Sequence, residues 1–62
     1  MKPGDIVIVL EDLNWIDDHC AKGTRLRLIA ERITSAGPRW SAMTKQGTTH
    51  HNIPPDAIEV IA

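Results

Sequence analysis

The chain has no tyrosine and no phenylalanine, and its aromatic side chains are Trp15 and Trp40 alone. A groove walled by several aromatic faces is therefore excluded. Cysteine occurs once, at Cys20, so there is no internal disulfide framework. Small secreted domains usually depend on such staples, which makes a reducing, cytoplasmic setting the expectation. Long apolar runs are missing as well. The longest, residues 6–10, falls far short of the roughly 20 residues that cross a bilayer. The opening Met1-Lys2-Pro3-Gly4-Asp5 lacks the apolar core of a signal peptide. A soluble chain without a membrane partner is expected.

Length sets the next bound. A chain of 62 residues is read as one domain, 1–62, with one small core. Such a chain hides only about 60% of its unfolded surface and has no room for a second domain or a lid. A monomeric enzyme is not expected, and neither is a cofactor. A pocket shared between subunits of a homo-oligomer stays open as an alternative.

Net charge is −1, but the two signs are segregated along the chain. Asp5, Glu11, Asp12, Asp17 and Asp18 precede residue 20 against Lys2 alone. Over residues 21–47, Lys22, Arg25, Arg27, Arg32, Arg39 and Lys45 follow against Glu31 alone, and the last segment adds only Asp56 and Glu59. Either the two groups pair across neighbouring strands or they mark separate parts of one surface.

The hydrophobic pattern is that of short strands. Ile6-Val7-Ile8-Val9-Leu10 is β-branched and brief, the composition of a buried strand. In residues 24–33, Leu26 and Leu28 alternate with Arg25 and Arg27, a period of two. Turn chemistry at residues 34–38 leads to a third strand over 39–45. Gly47 then marks a tight hairpin before a fourth strand over 49–53. Pro54-Pro55 interrupts the ladder, and a short helical turn is expected over 54–57 before a last strand over 57–61. The polar stretch 11–21 reads as a long acidic loop, with a helical turn over 16–21 as its rival. Five short strands at close spacing predict an all-β barrel or sandwich.

Several pieces carry a resemblance. Lys22-Gly23-Thr24-Arg25-Leu26-Arg27-Leu28, then Trp40-Ser41-Ala42, then Gln46-Gly47, then Ile53-Pro54-Pro55-Asp56-Ala57-Ile58-Glu59-Val60-Ile61 are in the order and spacing of a Src-homology 3 domain. The last two-thirds of the chain thus resembles the SH3 family. That resemblance implies an SH3-like five-stranded small barrel with a long loop after strand 1. It also implies a proline-peptide groove, whose rings pack between flat faces. Here this sequence departs from the family. Arg39 stands where a groove tryptophan is usual, Ala57 stands in place of the closing tyrosine, and the tyrosine-bearing opening is absent. Ordinary proline-motif binding is not implied. The close also resembles that of the small plasmid-borne dihydrofolate reductase. Thr49-His50-His51-Asn52 lacks that family's pore motif, however, so its activity is not carried over.

Candidate sites follow. Trp15, in an acidic loop, is either a docking anchor of the kind enriched at interfaces or a lid folded over the barrel mouth. With Asp17 and Asp18 to steer basic groups and Pro55 as a rigid ledge, it forms the expected protein-partner surface, to which Arg39 and Trp40 are added. Trp40 also reads as core, and Arg39 as a solvated strand residue. Lys22, Arg25, Arg27 and Lys45 make an alternative basic face for nucleic acid. Asp17, Asp18, His19 and Cys20 with His50 and His51 contain metal-ligand types. Adjacent strand residues point to opposite faces, though, so His50 and His51 do not join one site and no metal is expected. His19 beside Cys20 suggests a thiol nucleophile only weakly, because no third group orients it. The expected function is a non-enzymatic protein-interaction module or small accessory subunit.

Overall fold

In the computed structural model, which describes residues 1–15 and 18–62 (Trp15 and Asp18 by their backbone alone), the chain is all β apart from one 3-10 turn. The strands are β1 Ile6–Val9, β2 Leu13–Trp15, β3 Asp18–Cys20, β4 Arg25–Thr34, β5 Gly37–Met43, β6 Thr49–Ile53 and β7 Ile58–Val60. The 3-10 turn is Pro55–Ala57, within the span where prolines break the ladder. Among the described residues no helix is long and apolar enough to cross a membrane.

Five strands form one antiparallel sheet in the order β6-β5-β4-β1-β7. The C-terminal strand thus returns to lie on β1, with Val9 opposite Ile58. The Leu10 amide donates to the Ala57 carbonyl at 2.8 Å and extends that contact beyond the strand. The 3-10 turn packs on both β5 and β7, carrying the chain from one sheet edge to the other.

The period-two expectation for β4 holds. Leu26 and Leu28 are each 1% exposed, while Arg25 and Arg27 face solvent. Val7, Val9, Trp40, Ala42, Ile53, Ala57 and Ile58 complete the core with Leu13 and Cys20. Burying each leucine contributes about 1.5–3 kcal/mol, a large share of the stability of so small a domain.

Two β-bulges break the alternation. In β4 the register shifts between Leu28 and Ala30, so Ile29 is the extra residue. Beyond it β4 and β5 run on as a two-stranded ribbon, exposed enough that Ile33 is 74% accessible. The ribbon ends in a two-residue turn between Thr34 and Gly37. The Thr34 Oγ1 donates to the Gly37 carbonyl at 2.7 Å, and Gly37 takes φ +105°. Pro38 is tolerated within β5 because β6 does not reach it; their pairing starts at Trp40. In β6 the shift lies opposite Trp40 and Ala42, and Asn52 takes φ 62°.

Two expectations are corrected. The described residues of the stretch 11–21 form neither a long loop nor, over 18–21, a helical turn; residues 16 and 17 of that expected turn lie outside the described residues. The stretch contains a second, two-stranded antiparallel sheet in which Leu13 faces Cys20 and Asn14 faces His19. Leu13 and Cys20 are both buried, and that apolar pair holds the hairpin on the body. Nor does either sheet close on itself. β6 and β7 remain the edges of an open five-stranded sheet, where a five-stranded barrel was expected.

Candidate functional site

A cleft of about 420 Å³ lies between the β2–β3 hairpin and the end of β6. One wall is Glu11, Asp12, Leu13 and Asn14, and the other is Arg39, Asn52 and Pro54. The acidic wall is fixed by a hydrogen bond. The Lys22 amide donates to Asp12 Oδ1 at 2.8 Å, tying the two ends of the hairpin together. Further along, His19 Nδ1 contacts Asn14 Oδ1, a cross-strand pair set by the Asn14–His19 register. On the opposite wall, the Arg39 guanidinium donates to its neighbour's carbonyl, Pro38 O, at 2.8 Å. Asn52 is presented by the β6 bulge, a device that re-aims side chains. Pro54 caps the 3-10 turn, whose first residue is the half-buried Pro55.

The expected partner residues divide into four groups. Arg39 lines the cleft, and Pro55 adjoins it in sequence. Trp15 and Asp18 are paired by their backbones at the end of the hairpin, next to the cleft residue Asn14. Asp17 lies outside the described residues. Trp40 is 3% exposed, so its core reading is the one that holds and it offers a partner almost no surface. Sequence reading missed Glu11, Asp12, Asn14 and Asn52. The available signal for Asn52 was an asparagine two residues before a proline, a residue type that tolerates positive φ.

A second concavity, of about 370 Å³, lies on the outer face of the main sheet. Ile6, Arg25, Leu26, Arg27, Met43, Thr44 and Lys45 line it. The register explains the grouping, since Ile6 stands opposite Arg27 and Arg27 opposite Met43, one row across three strands. Three of the four expected basic residues therefore meet. Lys22 does not join them; it sits in the turn after β3 and is engaged at Asp12 through its backbone.

The candidate metal and thiol chemistry is dispersed. His50 is buried beside Ala42, whereas its neighbour His51 is exposed and contacts Ser41 Oγ through Nδ1 at 2.8 Å. Among the described residues no three of His, Cys, Asp and Glu gather at a metal-binding distance. Cys20 is buried in the core. Compared with protein-family models, with curated proteins and with solved structures, the chain finds no match.

Proposed function

We propose that the chain is an SH3-like, non-enzymatic interaction module that holds a segment of a protein partner in the cleft between the β2–β3 hairpin and the Arg39–Asn52–Pro54 wall. The observation that carries this reading is the cleft itself, whose lining brings Glu11 and Asp12 together with Arg39. Its chemistry suits a polar segment bearing both signs, with a basic group towards Glu11 and Asp12 and a carboxylate towards Arg39. Trp15 is the anchor that fills a partner pocket, Asp17 and Asp18 steer the approach, and Pro55 is the apolar ledge. The return of β7 onto β1 and the 3-10 turn at Pro55–Ala57 favour the SH3-like assignment. The groove differs from that family's usual one, because Ala57 is fully buried and Arg39 occupies the place of a ring.

Peptide display against the whole chain tests this function. Enriched peptides are expected to shift amide resonances of residues 11–14, 39 and 52–55. They should also lose at least about tenfold in affinity on Trp15→Ala or Arg39→Glu, the loss of one anchor. Peptides whose binding is unchanged by both substitutions would place the docking surface elsewhere.

A further inference from the structure

The outer-face concavity shares no lining residue with the cleft. We infer that it is a second binding site, and that its ligand is an acidic protein segment in extended conformation, with its carboxylates and an aliphatic side chain at alternate positions, on one face. Three observations carry this.

The first is charge. Arg25, Arg27 and Lys45 converge on the depression, and none of the described residues lining it is acidic. The second is the apolar surface beside those cations. Ile6 and Met43, both lining residues, flank Arg27 in one cross-strand row. A partner that brought only charge would leave those apolar surfaces wet; one whose carboxylates and aliphatic groups share one face of the strand, at alternate positions, covers them. The third is spacing. Arg25 and Arg27 are two residues apart on one strand, so they repeat at roughly 7 Å. Alternate side chains of an extended peptide repeat at the same interval, which lets an Asp-x-Asp segment meet both guanidiniums at once.

Phosphates along a single nucleic-acid strand offer a comparable charge spacing, but the site is poorly built for bases. Stacking platforms in such proteins are aromatic. No described lining residue is aromatic, Trp40 is buried elsewhere, and the chain as a whole carries net charge −1. Dedicated nucleic-acid modules are strongly basic. The acidic protein segment is the better fit.

The test uses the full chain and a labelled Asp–Leu peptide that repeats Asp-Ser-Asp-Ser-Leu-Ser, so that Asp and Leu share one face, with its Lys-for-Asp counterpart and oligo-dT as comparisons. The Asp–Leu peptide is expected to bind and to shift resonances of Ile6, Arg25, Arg27, Met43 and Lys45. Arg25→Glu with Arg27→Glu should weaken it at least tenfold, and raising salt should weaken it further. Both arginines are solvent-facing, and the milder pair Arg25→Gln with Arg27→Gln serves if charge reversal disturbs the fold. Ile33→Ala, on the β4–β5 ribbon, changes no lining residue of this site and should leave peptide affinity unchanged. The inference is overturned if the Asp–Leu peptide fails to bind at millimolar concentration, or if the arginine substitutions leave its affinity intact. It is equally overturned if its shifts map to the cleft, or if oligo-dT binds more tightly than the peptide.

Discussion

His50 and Ile53 both turn into the core of the sheet, although they stand three positions apart along β6. A regular strand would send them to opposite faces. The extra residue at the bulge reconciles the two, and Asn52 takes the left-handed conformation that lets the chain swing round. Asn52→Val is therefore expected to destabilise the fold by about 1–2 kcal/mol, the cost of that conformation for a side chain branched at Cβ. Asn52→Gly should stay within about 1 kcal/mol of the parent. Urea unfolding of the two variants measures the difference; equal stability would contradict the bulge.

Leu28 and Ile33 lie on the same strand but in opposite environments. Leu28→Ala is expected to cost about 2–5 kcal/mol, the range for a leucine deleted from a packed core. In a domain this small, that approaches the whole stability. Ile33→Ala, at the accessible ribbon, should change stability by no more than about 0.5 kcal/mol. Thermal unfolding followed by circular dichroism separates the two.

The acidic wall of the cleft depends on the tether between Asp12 and the Lys22 amide. Asp12→Ala removes the acceptor and is expected to cost about 1 kcal/mol, concentrated in the hairpin. Amide exchange should accelerate at Lys22, and at Asn14 and His19 in the two strands, while Leu26 and Leu28 keep their protection. Uniform acceleration across the sheet would show that the hairpin does not open by itself.

Trp40 supplies an optical prediction. In a Trp15→Leu variant the remaining indole is buried in the core, opposite Ile53. Its fluorescence should be blue-shifted and poorly quenched by acrylamide. Red-shifted, readily quenched emission would return Trp40 to the surface and to the list of docking residues.

Gly37 closes the β4–β5 turn at φ +105°, where an added Cβ would meet only the Arg39 guanidinium at 3.9 Å. Space is ample, so the penalty for Gly37→Ala is conformational, about 1 kcal/mol. Chemical denaturation is expected to show that loss with the sheet retained.

Much of the main sheet was legible because one property, alternation, decides it. Leu26 and Leu28 against Arg25 and Arg27 identified β4 and its inward face, and Pro54-Pro55 marked the 3-10 turn. The bulges at Ile29 and Asn52 left no comparable trace, because a single inserted residue changes register without changing composition. The β2–β3 hairpin was misread for a different reason. Its apolar signal is one cross-strand pair, Leu13 with Cys20, set among acidic and amide side chains that resemble a loop. That error hid the cleft's acidic wall, while Arg39 on the other wall was in view from its place beside Trp40. The basic face was legible in part: alternation put Arg25 and Arg27 together, but only the register brought Ile6, Met43 and Lys45 alongside.

The main sheet and the outer-face site depend on one register, in which Arg27 sits between Ile6 and Met43 with Leu26 and Leu28 turned inward. Backbone nuclear Overhauser contacts across β1, β4 and β5 read it directly. The expected spectrum links Arg27 to both Ile6 and Met43, and Leu28 to Ala42. Contacts displaced by one residue would carry both leucines to the outer face, and helical i to i+3 contacts over residues 25–32 would remove the sheet; either result contradicts the account.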